Sequence, residues 1–330
     1  MQIGSASAKK GERGTGLLKV GELSMHSEVF IPIIIVCGHE EGPTLWINGA
    51  VHGDEINGSL AMHEVAVELN PSKLKGTLVC SPIANTLAYQ WRQTFNPFDH
   101  LDLDRQFPGD PEGVFSQRVA YYLFQEVKGK ANYLINFHTH ATPYAAVPYT
   151  VFKFVSSASP QVNQETEKTA KVFGVLGNCR VDIGTAKGEQ PSGALTGGLD
   201  VNCMLNGIPA FMAEIGGGGR FERENIEVAK RGIKNVMKYL KMIPGEPEAA
   251  GRQYIFRSRK FLYSNRAGLA IMDAKPGDIL NPGEKIAHIM DFFSELEVVP
   301  AKERSYIIGV RVNPVIHTGE RVAFLGLNWE

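Results

Sequence analysis

Hydrophobic and polar positions fall into two regimes along the chain. Up to Met242, short apolar runs rich in β-branched residues alternate with stretches of helical period. Phe30–Val36, Thr44–Ile47, Thr77–Cys80, Tyr133–Phe137 and Ala210–Ala213 read as strands. Ile56–Leu69, Ser116–Val127, Gln161–Leu176 and Phe221–Met242 read as helices. The last is the clearest, because Ile226, Ala229, Ile233, Val236 and Leu240 recur at spacings of three and four. Strands alternating with helices predict an α/β fold with a mainly parallel sheet covered on both faces. In such sheets ligands sit at the carboxyl ends of strands, and candidate chemistry is sought there.

Beyond Met242 the pattern changes. Ile243-Pro-Gly-Glu-Pro-Glu-Ala-Ala-Gly251 has linker composition, and no long helical period follows it. Short β-type runs are separated by Lys275-Pro-Gly-Asp, Asn281-Pro-Gly-Glu and His317-Thr-Gly-Glu. This predicts a first domain over 1–243, a linker over about 244–253, and a small all-β unit, barrel or sandwich, over 254–330.

Composition narrows the function class. A chain of 330 residues, 43% hydrophobic, supports an ordinary core without disulfides. Lys+Arg of 34 against Asp+Glu of 35 argues against a nucleic-acid partner and against a polybasic membrane anchor. The longest apolar run, Phe30 to Cys37, is too short to span a bilayer, and the first residues lack a secretory core. The expectation is a cytoplasmic protein with four reduced, buried thiols at Cys37, Cys80, Cys179 and Cys203.

Four segments carry candidate chemistry. The first is Trp46-Ile-Asn-Gly-Ala-Val-His52-Gly-Asp-Glu55, running from a strand end into a helix. One turn puts His52 and Glu55 on the same side, which is half of a zinc site. The pattern is weak alone, since His317-Thr-Gly-Glu320 matches it too and reads as a surface turn. The second is Asn136-Phe-His138-Thr-His140, at the end of a predicted strand. His138 would complete a His₂Glu set with one position open; His140, on the same face of an extended chain, is the rival. The third is Phe211-Met-Ala-Glu214-Ile-Gly, where a carboxylate closing an apolar strand suits a general base beside a metal. The fourth runs from Arg92 to Gly109 and holds Asp104 and Arg105, arginine being suited to carboxylates and oxyanions.

Taken together, His52-Gly-Asp-Glu55, Asp-Leu-Asp-Arg-Gln-Phe-Pro-Gly109, Asn-Phe-His138-Thr and Phe-Met-Ala-Glu214-Ile-Gly resemble the succinylglutamate desuccinylase/aspartoacylase family of zinc carboxypeptidase-like hydrolases. The resemblance covers about residues 20–242 and extends to the small β domain of its bacterial members. It implies a three-layer α/β/α fold with a mixed, mainly parallel sheet. It implies one zinc ion held by His52, Glu55 and His138, with Glu214 as general base and acid toward the water. It implies that Arg105 grips a substrate carboxylate and that Arg92 polarises the scissile carbonyl. The reaction implied is hydrolysis of the acyl amide, or ester, of a small N-acylated amino acid or amine. A carboxypeptidase on the same fold and a non-catalytic binding protein are the competing readings, and self-association is left open.

Two departures stand out. The family has Asn where this chain has Asp104, and Asp where it has Asn136. An anionic Asp104 would favour a substrate bearing a cationic group, and Asn136 would support the metal less firmly than a carboxylate. The stretch from Lys187 to Ala194 reads as a loop over the site.

Overall fold

The computed structural model describes residues 1–184, 196–248 and 250–329; the loop from Lys187 to Ala194 lies outside the described residues. Strands β1 (Gln2–Ile3) and β2 (Ala6–Ser7) make a small ribbon. Strands β3 (Arg13–Glu22), β4 (Glu28–Cys37), β5 (Glu40–Asn48) and β6 (Lys75–Ser81) follow. Helix α1 (Asn57–Glu68) joins the last two, and α2 (Thr86–Trp91) comes next. Then come α3 (Phe115–Lys130), β7 (Tyr133–His140), β8 (Tyr144–Ala146), β9 (Tyr149–Val155), α4 (Pro160–Val172) and β10 (Gly177–Ile183). Helix α5 (Leu199–Leu205), β11 (Ala210–Gly217) and α6 (Arg223–Tyr239) complete the α/β part.

The strands β6, β5, β7 and β11 lie side by side and parallel. At β11 the direction reverses, because β9 pairs with it antiparallel and β10 then runs parallel to β9. Helices cover both faces. Trp46, Val79 and Leu134 pack in one core with α3 and α5, while Leu45, Ile47, Leu78 and Ile135 pack with α1, α4 and α6 in the other. Alternate residues of each strand thus enter opposite cores, as in a three-layer α/β/α fold. The apolar stripe of α6, with Ile226, Ala229, Ile233 and Val236 fully buried, is the face that the sequence predicts.

Close packing of α1 on β7 depends on Gly58. A Cβ there would stand 2.3 Å from the Cβ of Phe137. Gly58→Ala gains about 1 kcal/mol of helix propensity but overpacks the core by about 1–3 kcal/mol. A net lowering of the urea midpoint is expected, and an unchanged or raised midpoint would show that α1 moves aside freely.

The tail begins with β12 (Tyr254–Tyr263) and continues through β13 (Gly268–Met272), β14 (Ile279–Leu280), β15 (Lys285–Met290), β16 (Glu295–Pro300), β17 (Ser305–Arg311), β18 (Val315–Ile316) and β19 (Arg321–Trp329). It is all-β, and the three Pro-Gly or Thr-Gly segments are turns. In one of them Glu320 accepts the His317 N–H at 2.8 Å and an Arg311 N–H at 3.1 Å, so this second His-x-x-Glu is a structural turn. Strands β16, β15, β13 and β18 form a separate sheet. The others extend the central sheet: β12 pairs parallel with β10, and β19 and β17 follow it. Among the described residues no helix is long and apolar enough to cross a membrane. All four cysteines are buried and unbridged.

Candidate active site

The carboxyl ends of β5, β7 and β11 meet at one place. After β5 the chain turns at Ala50, held at φ +46, and reaches His52 and Glu55 before entering α1. Gly53 permits this path: a Cβ there would lie 2.0 Å from the backbone of Ala88 in α2. Strands β7 and β11 align so that His138 and Glu214 are direct partners in register.

The side chains of His52, Glu55 and His138 offer ligand atoms that all lie within 4.8 Å of one another. Glu55 is the hub. Its Oε1 is 2.9 Å from His52 Nδ1, and its Oε2 is 3.1 Å from His138 Nδ1 and accepts the Thr139 N–H at 3.0 Å. Burial pushes the pKa of Glu55 upward, but the two imidazoles outweigh it and hold the carboxyl well below its ordinary value. His52 Nε2 lies 3.1 Å from Asp102 Oδ1, a carboxylate that orients the ring with Nδ1 toward Glu55. Two imidazoles and a carboxylate converging at this spacing fit a metal that takes nitrogen and oxygen ligands, zinc among them.

Glu214 is unlike the other carboxylates. Its Oε2 is buried and has no hydrogen-bond partner among the described residues. Burial pushes its pKa up to about 7, against the lowering effect of His138. A carboxyl held near neutrality beside a ligand cluster suits proton transfer.

His140 is placed differently from His138. Its ring stacks on Phe324 at 5.5 Å and meets Tyr144 edge-on at 5.2 Å, and its Nδ1 lies 3.4 Å from the Tyr149 hydroxyl. It lines the same cleft but stands outside the ligand cluster.

The two departures from the family pattern touch each other. Asn136 Nδ2 is 3.4 Å from Asp104 Oδ1 and 3.0 Å from His138 Nε2. Behind it Asn48 donates to Asn136 Oδ1 at 2.8 Å, Ser81 to Asn48 at 2.7 Å, and Trp46 to Ser81 at 2.9 Å. Against the pattern that the resemblance implies, amide and carboxylate would have changed places; here one of each faces His138. Asn136→Asp alone would set two buried carboxylates against each other, while Asp104→Asn alone would leave no acid there. Each single exchange is expected to weaken metal binding, and the double exchange to restore it, with a coupling of about 1–3 kcal/mol in a double-mutant cycle. Additive effects would show the two positions to be independent.

Asp104 is buried, with Oδ2 2.9 Å from Arg105 and Oδ1 facing Asn136 and the Leu199 N–H. Neither oxygen is left uncommitted. Arg105 is also 3.6 Å from Asp102. Arg92 lies elsewhere: it is the exposed C-cap of α2 at φ +54, and it is not among the residues lining the cleft. Its neighbour Gln93 accepts the Gly53 N–H at 2.9 Å, so this segment buttresses the His52 loop through its backbone.

The cleft has a volume of about 660 Å³, within the range for small-molecule sites. Its far wall is the tail: Arg259 and Phe261 from β12, and Arg321 and Phe324 from β19, share it with the ligand cluster. Sequence reasoning missed these residues and Asp102. Asp102 is two residues from Asp104 in an irregular loop, and only its alternation with Asp104 could have drawn attention to it.

Residues 41–240 match the family model described as the succinylglutamate desuccinylase/aspartoacylase catalytic domain. The chain is 25% identical over 321 residues to N-alpha-acetyl-L-2,4-diaminobutyric acid deacetylase of Halomonas elongata, covering 94% of this chain and 90% of that protein. Among solved structures, succinylglutamate desuccinylase/aspartoacylase from Rhodobacter sphaeroides superposes with a TM-score of 0.83 at 26% identity, covering 96% of this chain and 95% of that one. The product-bound ectoine utilization protein EutE (DoeB) from Ruegeria pomeroyi gives a TM-score of 0.83 at 22% identity over 99% and 100% of the two chains, a likeness of fold. With the family match running through more than half of its length, this chain belongs to the succinylglutamate desuccinylase/aspartoacylase family of deacylating hydrolases.

Proposed function

We propose that this protein is a zinc-dependent deacylase that hydrolyses the acyl amide of a small N-acylated amino acid. The observation that carries the proposal is the convergence of His52, Glu55 and His138 beside a buried, unpartnered Glu214 on the neighbouring strand. A zinc ion held by these three residues would supply Lewis acidity, lowering the pKa of water and polarising an acyl oxygen. Glu214 takes a proton from the attacking water and returns it to the departing nitrogen, a double duty suited to its raised pKa. Asp102 holds His52, and the Thr139 N–H holds Glu55, so these donors need little reorganisation. The cleft admits a molecule of amino-acid size.

The deacetylase of Halomonas elongata supports N-acetylated diamino acids as the first substrates to try. The test is a screen of N-acetyl, N-succinyl and N-formyl amino acids and diamines with zinc-loaded protein, reading release of the free amine. Turnover of one group above the others supports the proposal. Cleavage of unblocked peptides in preference to all of them would make the protein a carboxypeptidase instead.

A further inference from the structure

Positive charge on the cleft wall is unevenly answered. Arg105 already has two carboxylates, Asp104 at 2.9 Å and Asp102 at 3.6 Å. A guanidinium so neutralised has little field left for a ligand. The tail strands contribute Arg259 and Arg321 to the same wall, and among the described residues neither has a carboxylate partner. The Nε of Arg321 is buried without a hydrogen-bond partner among the described residues.

Both arginines are held on aromatic rings. The guanidinium carbon of Arg321 lies 3.5 Å from the Phe261 ring centroid, and that of Arg259 lies 5.9 Å from the Phe324 centroid. The two rings stack at 4.5 Å, and Phe324 stacks in turn on His140, two residues from His138. A cation–π contact leaves the N–H donors of a guanidinium without an acceptor, so they can still serve a planar anion. The charge of Arg259 lowers the pKa of Glu214, of Tyr149 and of the Cys179 thiol, in keeping with its place on the wall that Glu214 and Tyr149 share.

Building on the deacylase reading above, we propose that Arg259, with Arg321 on the same aromatic stack, binds the carboxylate of the substrate, and that Arg105 instead fixes the aspartates around His52 and His138. Discrimination of N-acyl amino acids from N-acyl amines that lack a carboxylate is then made by Arg259 and Arg321. The tail is on this view the specificity element of the enzyme.

The test compares N-alpha-acetyl-L-2,4-diaminobutyrate with its carboxamide, by calorimetric binding and by kcat/KM on metal-loaded protein. Wild type should prefer the acid. Arg259→Gln should lower binding and kcat/KM for the acid by about 10- to 100-fold, the scale of one charge-assisted hydrogen bond. It should leave binding of the carboxamide nearly unchanged, so that the binding preference for the acid collapses, while any change in kcat common to both compounds reports the charge of Arg259 acting on Glu214. Arg259→Lys, which keeps the charge without the fork, should fall between them, and Arg321→Gln should act in the same direction. Thermal melting of each variant separates this from loss of fold. The inference is overturned if wild type binds acid and carboxamide alike, if Arg259→Gln lowers the binding of both equally or of neither, or if only Arg105→Gln collapses the preference. Failure of the deacylase reading looks different: the acid binds through Arg259, yet no acyl compound is turned over.

Discussion

Replacing Glu214 by Gln is expected to leave the metal content of the protein intact and to reduce kcat by about 10²- to 10⁴-fold, the usual contribution of a positioned acid–base group. The exchange keeps the shape of the side chain and removes only its capacity to take a proton. The geometry isolates the effect well, because among the described residues Glu214 Oε2 makes no hydrogen bond that the change would break. An amide NH₂ buried there without a partner costs about 1–3 kcal/mol of stability, so melting temperatures belong in the experiment. Near-normal turnover in a folded, metal-loaded variant would remove Glu214 from the chemistry.

A second large effect is expected from His52→Ala. Removing partners that merely orient a metal ligand lowers affinity by about 10- to 100-fold, so deleting a ligand should cost more than about 100-fold in metal affinity and abolish turnover. The burden falls also on Glu55 and Asp102, the carboxylates at 2.9 and 3.1 Å from the two ring nitrogens, which would then lie close together without the ring between them. His140→Ala serves as the control. His140 lies outside the ligand cluster, so this variant should keep its metal. Metal analysis of dialysed protein reads both outcomes, and metal lost from His140→Ala but kept by His52→Ala would overturn the assignment.

The parts of this molecule that were readable in advance are those fixed by short-range pattern. The period of α6 and the apolar runs of β5, β7 and β11 needed only neighbouring residues to be recognised. His52 and Glu55 lie within one turn of each other, and the rule that sites gather at strand ends pointed to His138 and Glu214. Edge strands such as β3, and β9 with its single reversed pairing, gave weaker signals and were not anticipated. The exchange at Asp104 and Asn136 was visible as two separate departures, but only tertiary structure puts them in contact. Arg92 illustrates the opposite limit: the resemblance implied that it polarises the scissile carbonyl, yet it caps α2 in a left-handed conformation, exposed and away from the cleft. The inward arginines of the tail were illegible for a further reason. Alternation along β12 separates its two faces, but nothing local says that the strand joins the edge of β10 and sends Arg259 and Phe261 to the cleft.

If the cleft works as proposed, the parallel seam between β10 and β12 ties its activity to a part of the chain remote in sequence. Fraying of β12 and β19 would strip one bank from the substrate channel while every metal donor stayed in place. On the proposed function, mild denaturant should therefore abolish turnover before it releases bound metal, and damage to the tail would read in an assay as an active-site defect.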